Sequence, residues 1–109
     1  MNSVTTDVAQ ERRIVTSVPG PNSEALHARR VKVVSAGVSA TYPIYISHAK
    51  GAVIVDVDGN QYIDMGGGIG VTTIGHTDDA VVDAAMEQAH RVTHTLFTVA
   101  GYESYVRVC

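Results

Sequence analysis

The chain has 109 residues, enough for one modest core and too few for two, and with 45% apolar and 17% charged residues it is a folding-competent globular sequence. A formal charge of −3, scattered basic residues, no Trp and one Phe exclude the basic stripe with stacking aromatics that nucleic-acid binding needs. Cys109 is the only cysteine and stands last, which excludes an intrachain disulfide or Cys-based metal site, and no apolar run of signal or membrane length opens the chain, so a reducing cytoplasm is the expected location.

Residues 1–21 read as an arm, polar and closed by Val18-Pro19-Gly20-Pro21, where two prolines and a glycine forbid regular structure. Residues 22–109 read as the folded part. Asn22 or Ser23 is expected to cap a helix running to about Val34, with Glu24 in its first turn and Arg29, Arg30 and Lys32 near its end, both favourable to the helix dipole. Tyr42 to Ile46, aromatic and β-branched with Pro43 near its start, predicts a short strand. From Ala52 an apolar run reaches Asp58-Gly59 and resumes from Asn60 to Asp64, the pattern of a β-hairpin with Asp-Gly at its turn.

Glycines at 66, 67, 68 and 70 then imply tight backbone turns or close approach by another group. Asp78 to about Arg91 places Val81, Ala85, Ala89 and Val92 on one helical face, with Asp78 and Asp79 at its start and His90 and Arg91 at its end. Thr93 to Val99 leans towards β structure. A further helix is expected to begin near Gly101 and Tyr102, and Ser104 to Cys109 carries no glycine or proline stop, so the chain is expected to be a truncated piece of a longer domain.

The glycine cluster fails both common phosphate templates: Gly66-x-Gly68 meets Val71 and Gly68-x-Gly70 meets Thr73 where a third glycine is needed, and Gly75 is followed by His76-Thr77 rather than Lys-Ser/Thr. A structural bend and a ligand wall both stay open there. His90 and His94 stand four apart, but Arg91 replaces the metalloprotease glutamate, and His27, His48 and His76 have no partners at ligand spacing, so no metal is expected. No serine lies in a Gly-x-Ser-x-Gly elbow. Asp56, Asp58 and Asp64 flank the hairpin turn, where carboxylates favour turn geometry and solvent more often than they form an acid-base pair.

The run from Gly51 through Asp56, Asp58-Gly59-Asn60 and Tyr62-Ile63-Asp64, followed by Gly68-Ile69-Gly70-Val71 and Gly75-His76, resembles the N-terminal region of class III pyridoxal-phosphate-dependent aminotransferases. Thr93-His94-Thr95, Tyr102 to Val106, the leading Arg12-Arg13-Ile14-Val15-Thr16 and Val18 to Pro21 resemble the branch acting on 4-aminobutyrate. The resemblance spans nearly the whole chain and about the first quarter of a family member. Two departures stand out: Thr77 to Ala80 replaces a segment where the family usually has proline, and Gly101 stands where many relatives have proline.

The resemblance implies an α+β piece of a fold-type I transferase, with arm, helix, hairpin and helix, lacking the large α/β domain. It implies pyridoxal 5'-phosphate bound to a lysine downstream of residue 109, since neither Lys32 nor Lys50 matches the family lysine. It implies substrate contacts at Ile69, Phe97 and Thr98, although Thr98 stands where some members have Gln. An aliphatic Ile69, where ornithine-acting relatives place Tyr, favours a short ω-amino acid. The expected function is thus that of a homodimeric transaminase passing the amino group of 4-aminobutyrate or a similar ω-amino acid to a 2-oxo acid, with this chain inactive alone. Two other readings are a non-catalytic module binding a full-length relative and a dinucleotide- or phosphate-binding protein built on the glycine loop.

Overall fold

The computed structural model describes residues 7–109, which divide into two units, one ending at Asp78 and the other spanning Asp79–Cys109. In the first unit, helix α1 (Pro21–Val33) precedes strands β1 (Ile46–Lys50), β2 (Val53–Asp56) and β3 (Gln61–Ile63) and the single turn α2 (Gly67–Gly70). The strands form an antiparallel sheet in the order β1-β2-β3, so the expected hairpin is two strands of a three-stranded meander. Because side chains alternate along a strand, Val53 and Val55 share one face of β2; with Val8 from the N-terminal segment they make the apolar core, at 0%, 6% and 4% exposure.

Three valines bury little area, and a polar web does much of the remaining work. Asp56, almost fully buried, accepts backbone N–H bonds from Asp58 and Asn60 at Oδ1, and bonds from Asn60 Nδ2 and the Tyr62 hydroxyl at Oδ2, all within 2.8–2.9 Å. Asn60 completes the web from the other side: its Oδ1 accepts the backbone N–H groups of Val15 and Thr16, and its Nδ2 also donates to Thr16 Oγ1. Both hydrogens and both lone pairs of this buried amide are used, as a polar group out of water requires. The segment expected as an irregular arm is thereby drawn onto the sheet, and Arg13 exchanges two backbone hydrogen bonds with Gln61. Residues 1–6 of that arm lie outside the described residues.

Three local expectations are corrected. Helix α1 is not capped by Asn22 or Ser23; Gly20 is the N-cap, Pro21 follows where no N–H is missed, and the cap comes from the hairpin turn. Asp58 Oδ1 accepts the Asn22 N–H at 2.7 Å and Oδ2 the Ser23 N–H at 2.9 Å, so the two expected caps are donors. The strand predicted at Tyr42 to Ile46 begins only at Ile46: pairing of Lys50 with Val53 and Ala49 with Ile54 across the Gly51-Ala52 turn sets its position, overriding local propensity. Thr93 to Val99 forms no strand but a turn, with Leu96 at φ 56° and a Val99 N–H to Leu96 O bond.

The second unit contains α3 (Asp79–Arg91), as the helical spacing predicts, and α4 (Glu103–Val108). No residue of α3 is buried. Between the helices Phe97 packs on Tyr102 and Tyr105, with ring centroids 5.4 and 4.5 Å away. Among the described residues no helix is long and apolar enough to cross a membrane.

Candidate functional site: the glycine turn and its carboxylate-imidazole pair

Beyond β3 the chain leaves the sheet at Asp64 and returns to it at His76. The return is an isolated bridge in which Gly51 and His76 exchange backbone hydrogen bonds of 3.0 and 2.8 Å. Gly75, at φ 89°, has no room for a side chain, since a Cβ there would lie 3.0 Å from the Gly51 carbonyl oxygen. The departure is tied down in the same place by the Asp64 N–H to Ala52 O bond. Both ends of the 65–75 segment are thus fastened to the turn between β1 and β2.

The tip has an uncommon shape. Gly67, Gly68, Ile69 and Gly70 have φ of 49, 56, 52 and 82°, four consecutive left-handed residues. Glycine adopts this readily; Ile69, β-branched, does so at a cost on the order of 1–2 kcal/mol. The turn closes through Ile69 N–H to Gly66 O and through the Val71 and Thr72 N–H groups to Gly67 O. Ile69 is 94% exposed, so packing within the described residues does not offset that strain. The expected substrate-wall residue therefore stands at the tip of a strained turn, with its side chain offered outward.

Asp64 governs the approach to this tip. Its Oδ1 accepts the N–H groups of Gly66 and Gly67, each at 2.9 Å, and its Oδ2 lies 2.6 Å from His76 Nε2. The hydrogen bond from His76, followed by that from the Gly67 N–H, holds the Asp64 carboxyl below its ordinary range. A carboxylate has no proton to give, so Nε2 carries the hydrogen. The pair borders a shallow pocket of about 360 Å³ whose other walls include Gly51, Ala52, Thr72 and Ile74. Sequence reading missed this pair: it grouped Asp64 with the turn carboxylates and left His76 unpartnered. The available signal was a polar residue at each end of a glycine-rich segment, where a closed loop brings its ends together.

The other sequence-derived candidates lie elsewhere. Phe97 and Thr98 belong to the second unit, Phe97 within its tyrosine cluster and Thr98 in the adjoining turn. His27 meets the Tyr45 hydroxyl and His48 meets Ser47 Oγ, and the described residues contain no group of three or more His, Cys, Asp or Glu able to hold a metal. The carboxylates expected to face solvent have defined partners. Asp56 is buried in its web and Asp58 caps α1; at both, burial alone would raise the carboxyl, and the hydrogen bonds received outweigh it. Lys50 donates from Nζ to Thr77 O, and Lys32 lies exposed in the last turn of α1. With Lys32 thus exposed on α1 and Lys50 Nζ engaged by Thr77 O, these two residues do not by themselves make a site for pyridoxal phosphate.

Comparison with known proteins places this arrangement. Residues 34–109 match the family model described as aminotransferase class-III. A 4-aminobutyrate aminotransferase of Mycobacterium tuberculosis is 52% identical over 91% of this chain and 22% of its own length. A 5-aminovalerate aminotransferase of Pseudomonas putida is 44% identical over 80% of this chain and 20% of its own. Among solved structures, an omega-transaminase from Sphaerobacter thermophilus superposes with a TM-score of 0.64 at 30% identity, covering 72% of this chain and 19% of that one. An ornithine aminotransferase from Toxoplasma gondii, whose structure has partial occupancy of PLP at the active site, gives 0.64 at 34% identity, covering 68% and 17%. The chain spans about a fifth of the length of the curated relatives it matches. The sheet, the glycine turn and the two helices after it are accordingly those of a transaminase segment, and the chain belongs to the class III aminotransferases.

Proposed function

We propose that this chain serves in a pyridoxal-phosphate-dependent transaminase that moves the amino group of 4-aminobutyrate, or an ω-amino acid of similar length, to a 2-oxo acid. The observation that carries the reading is the identity of about half the residues, over 91% of the chain, with an enzyme named for 4-aminobutyrate. The 5-aminovalerate relative supports the wider class of ω-amino acids. Within it, Ile69 supplies an aliphatic wall that fits a methylene chain and offers no hydrogen bond to a second polar group, with Phe97 and Thr98 as further contacts.

On this reading the lysine that bonds the cofactor lies outside these 109 residues, in keeping with the positions of Lys32 and Lys50, and the chain alone does not transaminate. The reading extends to a homodimer in the cytoplasm. The half-exposed Val82 and Met86 of α3 support it as apolar surface suited to a neighbouring domain or subunit, and the lone, unbridged Cys109 suits a reducing compartment.

The test is to express the reading frame that contains this chain and assay it with 4-aminobutyrate, 5-aminovalerate and ornithine against a 2-oxo acid. Transfer from the first two that depends on added pyridoxal phosphate and exceeds transfer from ornithine is the expected result. No transfer from any ω-amino acid overturns the reading.

A further inference from the structure

The strained tip and the Asp64-His76 hydrogen bond at its base raise the question of what keeps Ile69 where it is. Its side chain is exposed, so the tip gains little from packing of Ile69 within the described residues. Its two ends are held independently, at Ala52 and Gly51, and Thr77 adds a further tie from its Oγ1 to Ala49 O. What joins the ends to each other and to the tip is one carboxylate. Asp64 receives the first two N–H groups of the turn on one oxygen and the returning His76 on the other. Both side chains are largely shielded, at 14% and 22% exposure, where a charge-assisted bond is stronger than at an open surface.

We propose that Asp64 and His76 form a positioning latch that fixes the left-handed turn and so orients Ile69, making both residues determinants of substrate chain length although neither touches substrate. Without the latch, Gly66 and Gly67 lose their common acceptor, the glycines return to the many conformations open to them, and Ile69 relaxes towards negative φ. The apolar wall then loses its fixed direction. The Ile69 half of this inference rests on the transaminase reading; the latch itself rests on the geometry alone.

The experiment uses the protein encoded by the reading frame that contains this chain, as wild type and as Asp64→Asn, His76→Ala, His76→Gln and Ile69→Ala. Hydrogen exchange is followed in the 64–76 segment, with the 53–63 hairpin as internal reference, and kcat and KM are measured for 4-aminobutyrate and 5-aminovalerate, which differ by one methylene. Asp64→Asn is expected to speed exchange at 64–76 about tenfold and leave 53–63 unchanged, since a neutral amide replaces a charged acceptor. The preference between the two substrates should shift about 3–10-fold, chiefly through KM, within the discrimination one methylene allows. His76→Gln, which keeps an N–H donor, should restore most of what His76→Ala loses. Unchanged exchange at 64–76 in Asp64→Asn overturns the latch. Faster exchange with an unchanged substrate ratio overturns the specificity role. If Ile69→Ala also leaves the ratio unchanged, the substrate-wall reading fails with it, while the exchange result continues to decide the latch.

Discussion

The two units of the chain are built on opposite terms. Up to Asp78, order comes from hydrogen bonds between residues far apart in sequence: Asn60 to Val15 and Thr16, Asp58 to Asn22 and Ser23, Asp64 to His76. From Asp79 on, the helices follow their local sequence, α3 buries none of its residues, and the main tertiary feature is one aromatic trio. A small segment can thus be specified by polar satisfaction where apolar area is scarce, whereas an amphipathic helix with none of its residues buried takes its secondary structure from local sequence.

The sharpest way to break this contrast is to remove Asp56. Asp56→Ala leaves the N–H groups of Asp58 and Asn60, the Asn60 amide and the Tyr62 hydroxyl without their acceptor, at an expected cost of about 3 kcal/mol. Val53→Ala, deleting two methyl groups from the apolar core, is expected to cost about 2 kcal/mol. Denaturant unfolding followed through the sheet amides should rank them in that order; the reverse order would return the leading role to the valines.

Acid gives a graded version of the same test. Asp56, Asp58 and Asp64 are all held below the ordinary aspartate value of 3.8. A carboxyl depressed in the folded state stabilises above its unfolded value, and that stability is lost as pH falls through the folded value. Protection of the sheet amides should therefore be level from neutral pH down to about 5 and decline below about 4. Undiminished protection at pH 3 would mean that these carboxylates contribute geometry and little energy.

The smallest effect belongs to the second unit. In the 109-residue chain by itself Met86, 47% exposed on α3, should accept Gln at a cost below about 0.5 kcal/mol, read as helicity by circular dichroism during thermal unfolding. A larger loss would show that α3 has a packing partner essential to its folding.

The same contrast explains what was legible in the sequence. The hairpin was, because its apolar run and Asp-Gly turn are local signals, and α3 was, because helical periodicity is local too. The position of β1 was not: Ile-Ser-His-Ala-Lys has weak strand character, and its place follows from pairing with β2. The cap of α1 was missed because its donor and acceptor stand 35 and 36 residues apart. At the site, resemblance pointed to Ile69, but neither composition nor spacing disclosed that it lies in a left-handed conformation. The Asp64-His76 pair spans 12 residues and depends on the loop closing.

Gly20 illustrates how such long-range bonding redistributes constraint. Its backbone, at φ −86°, suits any residue, yet a Cβ added there would lie 2.4 Å from Asp58 Cγ. Space, not conformation, excludes a side chain. The freedom of position 20 is therefore set by the length of the side chain at position 58, and the two form a single unit of substitution: a side chain at 20 becomes admissible when residue 58 is shortened, and the cap at the start of the helix is lost with it.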